Sequence, residues 1–112
     1  MGVWGCDFSK EDAYHSVSRA LDRKIKFSAL IITSQAQSVG AMKAIKDKGF
    51  DIPADVAIVD VDSSLVHFQP AITTVDLHPY DLGYLATSLL IENITGKNSK
   101  KTKILVPADF VM

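Results

Sequence analysis

Three short polar segments in this chain hold side chains able to do chemistry. They are Asp7-Phe8-Ser9, Thr33-Ser34-Gln35 and Asp60-Val61-Asp62-Ser63-Ser64. The second and third each end an apolar run, and the first follows the short apolar start Val3–Cys6. If the runs are parallel strands of one sheet, their carboxyl ends lie along one edge and the polar groups converge there. Carboxylates and amides accept from and donate to hydroxyl groups, and an aromatic ring covers an apolar C–H face. That combination suits a polyhydroxylated small molecule. Ordinary loop polarity is the competing account, because loops that leave buried strands must be polar somewhere.

The elements that would position these groups are legible from spacing. Val3–Cys6 reads as a short first strand. Ser9 is a candidate N-cap, with Glu11 and Asp12 where carboxylates favour a helix dipole. Ala13, Tyr14, Val17, Ala20 and Leu21 then recur at helical spacing. Ala29–Ile32 is a continuous apolar run of the kind buried on both faces of a parallel sheet. Val39, Met42, Ala44 and Ile45 mark a second helix, with Gly49 placed for a left-handed C-cap and Pro53 beyond it. Val56–Val61 reads as the next strand, residues 62–69 as a loop, and Pro70–Val75 as extended chain. Pro79 fits the first turn of a third helix with a stripe from Leu82 to Ile94 and a stop at Gly96. Ile104-Leu105-Val106 reads as a last short strand. Helices between strands at these lengths imply parallel pairing with right-handed crossovers, hence an α/β fold with a short, parallel, three-layer sheet.

Composition sets the outer limits. The chain has 112 residues, 47% of them hydrophobic, and a formal net charge of −1. One small globular domain fits those figures, with no global pull toward nucleic acid or anionic lipid. The basic cluster from Lys97 to Lys103 reads as a solvated loop, with phosphate binding as the alternative. Cys6 is the single cysteine, which rules out an intrachain disulfide and fits a reducing compartment. No apolar run reaches the ~20 residues that cross a membrane, and no signal peptide is visible, so a cytoplasmic protein is expected. His15, His67 and His78 lack metal-ligand spacing, and no metal or cofactor is implied.

The order of the motifs resembles one family. Ile31-Ile32-Thr33-Ser34-Gln35 and Val39-Gly40-Ala41-Met42 come first. Ala44-Ile45-Lys46-Asp47-Lys48-Gly49 and Ile52-Pro53-Ala54-Asp55-Val56 follow. Val59-Asp60-Val61-Asp62-Ser63, Pro70-Ala71-Ile72-Thr73-Thr74-Val75 and Leu82-Gly83 complete the series. The set is similar to the C-terminal part of the effector-binding core of LacI/GalR-family transcriptional regulators. It covers almost the whole chain. The resemblance implies a periplasmic-binding-protein-like (type I) fold and binding of a small, sugar-like effector, with no enzymatic activity. It implies that Phe8, in the turn Gly5-Cys6-Asp7-Phe8-Ser9, stacks on the effector and that Asp62 accepts from its hydroxyls. Ser34 and Gln35 stand where the family has a ligand-binding Asn and an Asp. Asp60 replaces a Gly, and Ser63 a second Asp. These departures imply a different effector or a site that has lost its ligand.

The resemblance also divides the chain. Residues 1–72 and 103–112 would belong to the C-terminal subdomain, and 73–102 would cross to the N-terminal one and back. A helix-turn-helix headpiece is missing, so DNA would be read only through a segment outside this sequence. A homodimer is implied, with the helical faces at 10–23 and 36–48 as candidate contacts. The helix at 79–94 would lack its partners, and we expect it to fold back on the sheet or pair with another chain.

Other readings remain. A periplasmic sugar-binding protein shares the fold. Asp60-x-Asp62 superficially resembles the nucleophile motif of haloacid-dehalogenase-like phosphatases, although no later acidic pair completes a Mg²⁺ site. An acidic receiver-like pocket of Asp7, Asp60 and Asp62 would need a lysine that cannot be placed. Cys6 reads as a small buried residue, and Trp4 and Tyr14 as packing groups.

Overall fold

The computed structural model describes residues 2–61, 72–97 and 100–112. In chain order the elements are α1 (Lys10–Asp22), β1 (Ala29–Ile32), α2 (Gln35–Asp47), β2 (Ala57–Val61), β3 (Thr73–Asp76), α3 (Pro79–Ile94) and β4 (Asp109–Val111). The four strands form one sheet in the order β1-β2-β3-β4. β1 pairs parallel with β2, Ile32 opposite Asp60, and β2 pairs parallel with β3. β4 is antiparallel to β3, with Asp76 opposite Asp109.

The expected α/β architecture is present, with three corrections. Val3–Cys6 forms no strand. The last strand lies at Asp109–Val111 and not at Ile104–Val106, and it makes the sheet mixed, though mostly parallel. β1 is covered on one face only: Ile32 is buried while Ile31 is 76% exposed. An apolar run therefore marked a strand correctly but did not show which faces are covered.

Helix boundaries follow local chemistry. Ser9 caps α1: its Oγ accepts from the Asp12 amide at 3.1 Å, and Asp12 Oδ2 accepts from the Asp7 amide at 2.8 Å. These two bonds satisfy two amides near the helix start and fix the turn that carries Phe8. After α2, Gly49 takes a left-handed conformation (φ 80°) that a β-carbon would strain. Pro79 opens α3.

The core sits between α2 and the sheet, with α1 packed along α2. Ala44 and Ile45 are wholly buried, and Val56, Ile58, Met42 and Val17 nearly so. Gly40 allows the close helix approach. A β-carbon there would lie 2.1 Å from the Lys10 carbonyl oxygen. The Gly40-Ala41 step is thus a packing requirement.

α3 stands apart from this body. It has no buried residue. The radius of gyration is 18.1 Å and the molecule measures 58 × 25 × 23 Å, against about 13 Å for a compact domain of this length. The expectation that α3 folds back onto the sheet is not met.

Candidate functional site

α2 organises the candidate site, through two side chains that sequence reading did not single out. Gln37 is buried in the first turn. Its Nε2 donates to the Asp7 carbonyl and lies at the same distance, 3.2 Å, from Cys6 Sγ. The loop before α1 is thereby fastened to α2. The next residue, Ser38, donates from Oγ to Asp60 Oδ1 at 2.6 Å, with both side chains fully buried. The carboxyl end of β2 is thereby fastened to the same helix. Gln37 and Ser38 thus link two of the three polar segments, and the third, Thr33–Gln35, leads directly into α2. The available signal was two polar residues beside an apolar helical stripe, but solvent exposure would have produced the same pattern.

Phe8 is 77% exposed, with its ring outside the core. Ser34 is the N-cap residue of α2 but makes no side-chain cap bond, and it is half-buried. Gln35 is exposed in the first turn. Asp62 and Ser63 lie outside the described residues, and so do His67 and Pro70.

Asp60 has a different role from the one its motif suggested. It is fully buried and engaged by Ser38. A phosphatase nucleophile must meet its substrate, and this carboxylate is inside the protein. The receiver-like pocket fails on the same ground. Among the described residues no cluster of His, Cys, Asp or Glu could hold a metal ion. Cys6 is half-buried, not fully buried, and Trp4 packs edge-on against Phe27 with ring centroids 5.2 Å apart. Tyr14 packs on the core and donates to Asp47 Oδ2 at 3.0 Å. Among the described residues no helix is long and apolar enough to cross a membrane.

A mostly parallel sheet with covering helices and polar groups beyond its strand ends is the architecture of a periplasmic-binding-protein-like domain. The chain belongs to that family, which it matches over residues 5–112, in the form found in LacI-type transcriptional regulators. It is 30% identical over 107 residues to the HTH-type transcriptional repressor PurR of Mannheimia succiniciproducens, covering 94% of this chain and 32% of that one. It is 30% identical over 105 residues to the NTD biosynthesis operon regulator NtdR of Bacillus subtilis, covering 92% and 32%. The solved complex of the transcriptional regulator CelR with cellobiose superposes with a TM-score of 0.85 at 25% identity, over 95% of this chain and 33% of that one. A LacI-type regulator from Bacillus cereus gives 0.85 at 29% identity, over 94% and 38%. The chain spans about a third of the length of the curated relatives it matches. Those relatives are transcriptional regulators.

Proposed function

We propose that this chain supplies one wall of the effector pocket of a LacI-type transcriptional regulator, and that the effector is a sugar or related polyol. The observation that carries this reading is the exposed ring of Phe8, which follows directly on the Asp7 carbonyl that Gln37 of α2 holds. An aromatic face beside hydroxyl and amide groups fits a ring with polar edges and an apolar C–H face. The similarity to a regulator solved with cellobiose supports the same ligand class. Phe8 would stack, Ser34 and Gln35 would meet the polar edge, and Asp62 would accept from hydroxyls.

In this reading residues 1–72 and 103–112 form the C-terminal subdomain, and 73–102 cross to the other subdomain. An effector that binds the closed arrangement better than the open one shifts the population between them, and with it the affinity for DNA. DNA contact would need a headpiece outside these residues. The regulator would act in the cytoplasm as a homodimer, with the outer faces of α1 and α2 as candidate contacts.

The test is calorimetric titration with a panel of monosaccharides, disaccharides and nucleosides. It is run on the 112-residue chain and on the whole reading frame that contains it. Micromolar binding by the longer chain alone, weakened at least tenfold by Phe8→Ala, is expected. Micromolar binding by the 112-residue chain contradicts the one-wall reading. A reading frame with a signal peptide in place of a helix-turn-helix makes the protein a periplasmic sugar-binding protein.

A further inference from the structure

Gln37 does more for the loop before α1 than hold it against a helix. Its side chain is 8% exposed, and its Nε2 donates to the Asp7 carbonyl at 3.2 Å. That carbonyl lies in the peptide plane that also contains the nitrogen and Cα of Phe8. The other backbone group of Asp7 is engaged too, since its amide donates to Asp12 Oδ2 at 2.8 Å. On the far side of Phe8, the Ser9 carbonyl accepts from the Ala13 amide and the Ser9 hydroxyl from the Asp12 amide. The plane before Phe8 is therefore set from α2, and the chain after it from α1.

The face of α2 that does this is also the face on which α1 rests. Gly40 lies three residues beyond Gln37, on the same side of the helix. A β-carbon there would meet the Lys10 carbonyl oxygen, so the backbone approaches α2 closely at that point. Residues 7 and 10 thus bracket Phe8 along one helix face. The Phe8 ring itself is exposed and lies outside the core, so its direction comes from its backbone.

We propose that Gln37 is a positioning residue of the effector pocket. It does not touch the effector; it fixes the peptide plane from which the Phe8 ring projects. A ring already aimed need not be ordered when the effector binds, and that saving appears as affinity. This inference rests on the effector-pocket reading and adds to it the group that sets the stacking ring.

The test is calorimetry on the whole reading frame, with cellobiose, lactose, glucose and ribose as probes and the tightest-binding of them carried through the variants. Gln37→Leu keeps the bulk and removes the donor, and is expected to weaken binding about three- to tenfold. In a Phe8→Ala background the same change is expected to add nothing, because its effect passes through the ring. Gln37→Glu separates positioning from general destabilisation. A neutral carboxyl donates to the Asp7 carbonyl, whereas a carboxylate cannot, and burial favours the neutral form. Its affinity relative to the unaltered protein is expected to recover as pH falls from roughly 8 to 5, while that of Gln37→Leu stays low. Equal losses from Gln37→Leu with and without Phe8 overturn the inference and leave the pocket reading standing, as does a Gln37→Glu ratio that does not change with pH. Unchanged affinity in Phe8→Ala, or no binding of any probe, overturns both.

Discussion

Ser38 Oγ donates to Asp60 Oδ1 at 2.6 Å, and neither side chain reaches solvent. This bond joins α2 to the penultimate residue of β2 across twenty-two residues of sequence. A buried carboxylate that loses a hydrogen-bond donor loses part of what offsets its desolvation. Ser38→Ala is expected to lower stability by about 1–3 kcal/mol, and Asp60→Asn by less, because its amide oxygen still accepts. Urea unfolding followed by Trp4 fluorescence measures both. Equal losses would show that the Ser38 bond is not what the carboxylate supplies.

Gly40 predicts a second loss by a different route. A methyl group there would meet the Lys10 carbonyl at less than contact distance. Backbone cannot rotate aside, so α1 must shift on α2. Gly40→Ala is expected to cost about 1–3 kcal/mol, although alanine favours helix elsewhere. A thermal melt that moves upward would remove the packing explanation.

Asp47 gives a pH-dependent prediction. Hydrogen bonds from Lys43 and Tyr14 hold its carboxyl below the usual range, and the same contact with Asp47 raises the Lys43 ammonium. A carboxyl depressed in the folded state contributes stability that is present above its unfolded value of 3.8 and is lost as pH falls through the folded value. The raised ammonium contributes stability present below 10.5 and lost as pH rises through its folded value. Asp47→Asn is expected to flatten the acid side of the stability curve below the ordinary carboxylate range. The group is at the surface, so the effect should be small and should shrink in salt.

His78 ties β4 to the turn before α3. Its backbone is left-handed (φ 51°), its amide donates to Asp76 Oδ1 at 2.8 Å, and its Nε2 lies 3.0 Å from Asp109 Oδ2. Asp76 and Asp109 face each other across the strand pair, where like charges repel. His78→Ala removes the group between them. Amide exchange at Phe110 and Val111 is expected to accelerate severalfold while that of Ile58 stays unchanged. Equal acceleration at both sites would mean global destabilisation.

Much of this organisation was legible beforehand because it is local. The Ser9 cap, the left-handed Gly49, Pro79 at the start of α3 and the apolar spacing in α1 and α2 depend on neighbours within a turn or two. The order of motifs also carried the family. β4 was misplaced because Ile104–Val106 is the more apolar segment, whereas Asp109–Val111 is the one that register and His78 hold against β3. The exposed face of Ile31 could not be foreseen, since an apolar side chain does not specify what covers it.

By itself the sequence determined the helices, the parallel β1-α2-β2 unit, the family and the turn that carries Phe8. Only the tertiary structure assigned the polar residues their roles. Gln37 and Ser38 became fastenings for the site, and Asp60 a buried acceptor instead of a reactive group. Gly40 became the contact between helices, and α3 an uncovered apolar surface. Hydrogen-bonded burial depends on partners up to thirty-one residues away. Local composition does not encode whether a polar side chain faces solvent or a buried partner.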